Sequence, residues 1–183
     1  MASWSAIARR IRVPSGFALA ALYLYLARPS AWSLVLGAAV IIPGLIIRAL
    51  ASGHVTKNEQ LTTSGPYAYT RTPLYFGSFI LAAGFAVASR SWWVALIAAV
   101  MLFAIYIPVI RGEESFLRSH FSEFDEYARH VPRLFPRLRP YQRSAVSFSG
   151  DLYWKHQEYN AALGAAFMIA AIAVKVIIST IRR

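Results

Sequence analysis

No cysteine occurs among the 183 residues of this chain. That excludes a disulfide framework, a thiolate nucleophile and any cysteine-based metal site, and it leaves the redox compartment unread. Charge is also scarce, at 15% of residues, where a soluble domain typically carries about one quarter. Acidic groups are scarcest, eight Asp and Glu against nineteen Lys and Arg, for a formal net charge of +11. Apolar residues fill the rest, 57% of the chain, and the mean hydropathy is +0.47. This is the composition of a multi-span membrane protein, and the length suits one domain, 1–183.

The basic excess does not point to nucleic acid. Its residues stand at the ends of apolar runs and are not interleaved on one soluble face, a pattern that topological anchoring and anionic headgroups explain better. The opening MASWSAIARRIR has no small-residue cleavage site after a short apolar region, so it is expected to be a retained cytoplasmic flank.

Five apolar segments are expected to be helices: about 13–27, 31–50, 73–89, 92–110 and 160–178. Crossing the hydrocarbon core takes about 20 residues, so the first and third need tilt or snorkelling flanks such as Arg9, Arg10 and Arg12. Arg28-Pro29-Ser30 and Ser89-Arg90-Ser91 are too short for anything but tight turns. The sequence therefore predicts an all-α, polytopic fold with five crossings. One side then receives the N-terminus, 48–72 and 111–158, with fourteen Lys and Arg, against Arg28, Arg90, Arg182 and Arg183 on the other. The positive-inside rule assigns the first side to the cytoplasm. Segment 111–158 holds seven of the eight acidic residues. Its stripe of Phe116, Leu117, Phe121, Phe124 and Tyr127 predicts a cytoplasmic cap helix, and Pro132, Pro136 and Pro140 an extended strap after it.

Against this apolar background three polar pieces stand out: Leu61–Tyr75 (LTTSGPYAYTRTPLY), Arg111-Gly112-Glu113-Glu114 and Val131-Pro132-Arg133. Ionisable groups beside lipid are costly and are functional candidates by default. The plain reading of the first piece is a turn capped by Ser64 or Thr72, with Tyr67 and Tyr69 in an aromatic belt. Arg71, however, precedes a helix N-terminus, where a cation and free amides suit an anion, carboxylate or phosphate. Glu113 and Glu114 close a helix against its dipole. Either Arg111 and Arg118 neutralise them as a solvated collar, or they recognise an ammonium, a sulfonium environment or hydroxyls. An anion site and a cation site on one rim would fit a zwitterionic amino-acid moiety.

These pieces together resemble the membrane methyltransferase family that contains the isoprenylcysteine carboxyl methyltransferases and the phospholipid N-methyltransferases. The resemblance rests on Gly65-Pro66-Tyr67, Arg71-Thr72-Pro73-Leu74-Tyr75, Glu113-Glu114, and Tyr127 with Val131-Pro132-Arg133 and Pro136. It covers about 44–138 and leaves the last apolar segment, 160–178, as an addition. It implies S-adenosylmethionine held by Tyr67, Arg71, Pro73, Tyr75, Glu113, Glu114 and Val131 under the 131–133 strap. It further implies catalytic roles for Arg111 and Glu113, and His54 and Arg133 facing a lipid or prenylated acceptor that enters from the bilayer. No metal and no obligate protein partner is expected.

Thr72 stands where the family has histidine, so no titratable group is available there. Ser122 likewise replaces a frequent glycine. A carboxylate acceptor needs only a cation to orient it, Arg111 or Arg133, whereas an amine needs a base. Of His54, His120, His130 and His156, the first is best placed for that task, against the plainer reading of an interfacial histidine held by a structural hydrogen bond. Two other classes compete: a membrane reductase resembling the sterol reductases and using NADPH, and a non-catalytic scaffold. The first would need a second basic cluster for its nucleotide; the second has no use for Arg71 with Glu113-Glu114.

Overall fold

The structure, a computed structural model, describes residues 4–56, 60–141 and 147–181. Lys57, Arg143, Arg182 and Arg183, counted in the charge asymmetry above, lie outside the described residues, as do the side chains of Arg9 and Arg12. The regular structure of the described chain is helical: α1 (Trp4–Leu26), α2 (Ala31–Ser52), a 3-10 turn (Gly65–Ala68), α3 (Pro73–Ser89), α4 (Trp92–Met101), α5 (Ile107–His120), α6 (Phe124–His130), α7 (Gly150–Lys155) and α8 (Tyr159–Ile181). No strand occurs among the described residues. Three helical stretches are long and apolar enough to cross a bilayer, Ala31–Ser52, Trp92–His120 and Tyr159–Ile181; Pro14–Leu26 and Pro73–Ser89 are apolar but shorter.

The tight turns form as expected. Ser30 opens α2 with a capping box, its hydroxyl accepting from the Ser33 amide while the Ser33 hydroxyl accepts from the Ser30 amide. Arg90 adopts a left-handed conformation, φ 49°, to turn α3 into α4. Small residues let α2 and α3 pack tightly. A Cβ on Gly37 would lie 2.7 Å from the Gly84 carbonyl, one on Gly84 2.9 Å from that of Gly37, and one on Gly44 2.9 Å from that of Gly77. Such close backbone approach is how apolar helices gain packing energy where lipid and side chain are equally apolar.

Helices α4 and α5 make one rod, widened over Leu102–Tyr106 into a π turn. Pro108 follows directly, lacking an amide proton and crowding the carbonyl four residues earlier, and the wider turn relieves that conflict. The cap differs from expectation. The amphipathic stripe does not continue as one helix, because Phe121 is extended (φ −126°, ψ 115°) and ends α5. A separate short α6 then folds back, and Phe124, Tyr127 and Val131 form a small buried cluster of their own, with Leu61, Leu117 and Tyr141 against it.

The C-terminal pair α7–α8 is tied to the bundle by charge. Arg48 Nε sits 2.6 Å from Glu158 Oε1, and His156 Nδ1 lies 3.0 Å from the Ser52 carbonyl. Further along, Lys175 within α8 donates to the carbonyls of Leu24, at 2.8 Å, and Ala27, at 2.6 Å, around the open end of α1. Those carbonyls have no amide partner beyond the helix end, and the ammonium supplies one.

Candidate active site

Arg71 and Thr72 enter α3 from the Gly65–Ala68 turn, and Glu113 and Glu114 lie in the middle of α5. Gly65 has φ +56°, and a Cβ there would meet the His54 ring at 2.5 Å, so glycine is required both by backbone and by space. The strap after α6 runs beside this turn. Its backbone is stitched to it by Pro132 O accepting from the Arg71 amide and by the Arg137 and Tyr141 amides donating to Tyr69 O and Ala68 O, all at 2.9 Å. Tyr127 adds a hydroxyl bond to the Tyr67 carbonyl at 2.7 Å.

Glu114 is buried between two arginines. Arg71 Nη1 stands 3.1 Å from Oε1, and Arg133 reaches Oε2 at 2.7 Å through Nη2. Arg133 Nε also donates to both oxygens, at 3.0 and 2.9 Å. This is the forked geometry in which arginine binds carboxylates most firmly. Burial lowers the Arg71 guanidinium pKa from its ordinary value while the Glu114 charge raises it. The hydrogen bond that Arg133 donates to Glu114, and then the Glu114 charge, push Arg133 up against the opposing effect of burial. Arg71 also lies over the Phe124 ring, 5.9 Å from its centre. Its Nε is buried with no hydrogen-bond partner among the described residues.

Thr72 does not cap α3, nor does Ser64 cap the turn before it. The Thr72 hydroxyl donates instead to the Arg133 carbonyl at 2.5 Å, and that of Thr70 to the carbonyls of Arg133 and Leu134 at 3.1 and 3.0 Å. The residue at the expected histidine position therefore pins the strap.

Glu113 faces the other way. The Tyr75 hydroxyl donates to its Oε1 at 2.5 Å, while the residue as a whole is exposed. Below this pair, Tyr75, Tyr106 and Phe79 stack edge to face, with ring centres 5.7 and 6.1 Å apart. Tyr75 belongs to an apolar cluster with Ile105, Val109 and Ile110. The Tyr67 side chain is buried, and desolvation first, then the charges of Tyr127, Glu113 and Glu158, raise its pKa, which keeps the phenol protonated.

The structure thus gathers Tyr67, Arg71, Pro73, Tyr75, Glu113, Glu114, Val131 and Arg133 at one end of the bundle. The basic and acidic groups adjoin instead of standing apart, because Arg71 Nη1 pairs with Glu114. Nor do Arg111 and Arg118 form a collar. Arg111 is exposed and takes no part in the pairs around Glu114, and Arg118 bonds Asp125 at 2.7 Å. His54 is held by the Leu50 carbonyl at 2.7 Å and packs on Gly65 and Phe148. Sequence reasoning missed Arg48 with Glu158, and also Lys175. Arg48 and Lys175 each carried a signal, a lone charge inside an apolar run; the partner of Arg48 carried none. No group of three His, Cys, Asp or Glu able to hold a metal occurs among the described residues.

A helical bundle with apolar membrane-length helices and a polar, strap-covered site at one end defines an integral membrane protein. Residues 32–123, half of the chain, match the phospholipid methyltransferase family, and the chain belongs to it. The match begins earlier than the motifs did and stops before the 131–133 strap. A nickel-cobalt-cadmium resistance protein of Alcaligenes xylosoxydans xylosoxydans is 42% identical over 82 residues, 45% of this chain and 38% of that protein. A cobalt-zinc-cadmium resistance protein of Cupriavidus metallidurans is 43% identical over 86 residues, 47% of this chain and 40% of its own length. A protein-S-isoprenylcysteine O-methyltransferase of Schizosaccharomyces pombe is 29% identical over 101 residues, 55% of this chain and 43% of that enzyme. The chain spans about two fifths of the length of the curated relatives it matches. No solved structure matches it significantly.

Proposed function

We propose that this chain is an S-adenosylmethionine-dependent methyltransferase whose acceptor is a lipid-like molecule entering from the bilayer. The observation that carries the reading is the Tyr75–Glu113 hydrogen bond. It sets an ionisable carboxylate, next in sequence to the Glu114 that pairs with Arg71, directly on an aromatic cluster of the helical bundle.

The donor set fits the cofactor. Arg71 Nε is an orphaned buried donor suited to a carboxylate. Glu113, with one oxygen engaged by Tyr75, has acceptor capacity left for an ammonium or for ribose hydroxyls. Tyr67 and Val131 back this region from the turn and the strap, and an open cavity of about 330 Å³ beside Arg71 and Arg133 is lined further by Arg118, Asp125, Ala128 and Arg129. When bound, S-adenosylmethionine supplies an electrophilic methyl group on a positively charged sulfur. The chain's part is then positioning: Glu113 and Arg71 hold, the Arg133–Glu114 clamp keeps the strap over the mouth and excludes water, and the Tyr75–Tyr106–Phe79 cluster borders the path of an apolar tail. Arg133, half-exposed at the rim, and Arg111 further out are the cations available to orient an anionic acceptor. The reacting group is a prenylcysteine-type carboxylate or a headgroup amine.

In this reading the chain is a single domain of five crossings, the three long helices joined by the tilted α1 and α3, with the site facing the cytoplasm. The metals in the names of two relatives find no ligand cluster among the described residues, and nothing in the reading calls on them. Equilibrium binding of labelled S-adenosylmethionine and of NADPH to the purified protein tests it. Saturable binding of the first and none of the second is expected. NADPH binding alone returns the reductase class, and binding of neither returns the scaffold.

A further inference from the structure

Phe135 and Leu138 are 76% and 99% exposed. A single exposed apolar side chain carries no message, but these two sit on a segment that is held rigid. Pro132, Pro136 and Pro140 restrict its backbone, and the Arg137 and Tyr141 amides are bonded to the Gly65–Tyr69 turn. The Arg137 side chain is itself fixed, donating to the His130 carbonyl at 2.8 Å. The two side chains are thus presented and not merely frayed outward.

Their surroundings are basic. From 131 to 140 the chain reads VPRLFPRLRP, with three arginines and no acidic residue. Apolar tips between cations, on a stiff segment that bends repeatedly and is not the extended strap expected, match the interfacial zone of a bilayer bearing anionic headgroups: the apolar groups enter the acyl boundary and the guanidiniums stay with phosphate or carboxylate. The strap is fastened to the turn at one end of a bundle whose long helices are apolar, the level at which such a bundle meets lipid headgroups.

We propose that Phe135 and Leu138 dock the strap into the interface of an anionic bilayer, the leaflet next to the site, with Arg137 and Arg139 meeting its headgroups. The docked strap and the active site are mechanically one piece. Arg133, five residues before Leu138, has its carbonyl held by Thr70 and Thr72 and its guanidinium clamped on Glu114. The membrane surface would therefore hold the cover closed over the site. The inference rests on membrane embedding and not on the reaction.

The absence of cysteine makes the test direct. A Leu138→Cys variant carries the only thiol, at an exposed position where folding is insensitive to the change. A nitroxide attached there is placed in nanodiscs with or without one third anionic lipid. Its collisions with oxygen, which concentrates in acyl chains, are compared with those of a water-soluble nickel complex. The expected result is a shallow acyl depth in anionic bilayers and a shift toward water in neutral ones. Water-like accessibility in both overturns the proposal. So does an equal depth in both, which removes the electrostatic part, and so does shielding from both reagents, which means that protein covers the strap. No methyl transfer is needed for the readout, so its failure and that of the methyltransferase reading are separately visible.

Discussion

Arg133 holds Glu114 with both Nε and Nη2, at 2.7 to 3.0 Å, while its own carbonyl accepts hydroxyl hydrogen bonds from Thr70 and Thr72. One residue thereby joins the strap, the helix that bears the carboxylates and the turn that precedes α3. The relationship separates the two adjacent glutamates by task. Glu114 pairs with Arg71 and Arg133 inside the protein, and Glu113 is exposed, with one oxygen on the Tyr75 hydroxyl.

Removing Glu114 is expected to damage the fold more than removing Arg133. The Glu114→Ala change leaves Arg71, 12% exposed, as an uncompensated buried charge, a loss of about 3–5 kcal/mol. Arg133 is 44% exposed, so solvent screening reduces the Arg133→Ala cost to about 1 kcal/mol. Thermal unfolding of the purified variants in detergent checks the order. Equal shifts would mean that Glu114 is not the hub.

Glu113→Gln is expected to behave in the opposite manner, leaving the unfolding temperature unchanged and weakening S-adenosylmethionine binding. A charge-assisted hydrogen bond contributes about 1.5–3 kcal/mol, which is roughly tenfold or more in affinity. Tyr75→Phe, which removes a positioning hydroxyl, is expected to cost less, about 1 kcal/mol. Calorimetric titration that gives wild-type affinity for Glu113→Gln would remove Glu113 from the site.

Thr72→Val is expected to loosen the strap. It deletes the hydroxyl bond to the Arg133 carbonyl, a net contribution of about 1 kcal/mol, so amides such as that of Arg137 should exchange several-fold faster with solvent. Thr72→Ser keeps the hydroxyl and should restore protection. Hydrogen exchange followed by mass spectrometry reads both, and identical exchange in Thr72→Val and wild type would show that this hydroxyl does not pin the strap.

Gly84→Val is expected to part α2 from α3. Its Cβ would fall 2.6 Å from the Ile41 side chain and 2.9 Å from the Gly37 carbonyl, and backbone cannot yield, a cost of about 1–3 kcal/mol or more. Gly164→Ala is the control, because nothing lies within 4 Å of a Cβ there. A lower unfolding temperature for the first and none for the second is the expected pattern. Two unchanged proteins would contradict the tight helix pair.

Much of the helical layout was legible because long apolar runs and short Pro or Ser turns admit few alternatives, and α2, α3 and α4 begin where Ala31, Pro73 and Trp92 were expected to begin them. The cap was misread. The spacing of Phe116, Leu117, Phe121, Phe124 and Tyr127 fits one helix, but periodicity does not register that Phe121 turns extended to bury Phe124 and Tyr127 in their own cluster. Motif spacing brought Arg71, Tyr75, Glu113, Glu114 and Arg133 together in the reader's view, yet it could not say which charge meets which. Nor could it show that Arg71 and Glu114, each costly alone near lipid, lower that cost by meeting each other at 3.1 Å. Arg48 with Glu158 was invisible for a different reason: the partners are 110 positions apart, and no local pattern announces such a pair.

The most direct test of the central claim is transfer of label. Purified protein in lipid nanodiscs is incubated with methyl-labelled S-adenosylmethionine, a farnesylcysteine analogue and an aminophospholipid, and the products are extracted into organic solvent. The account predicts label in a tailed, lipid-soluble product, and a loss of that label with Glu113→Gln at subsaturating cofactor. Label found only on a water-soluble, tail-less acceptor, or transfer from no cofactor at all, would contradict it.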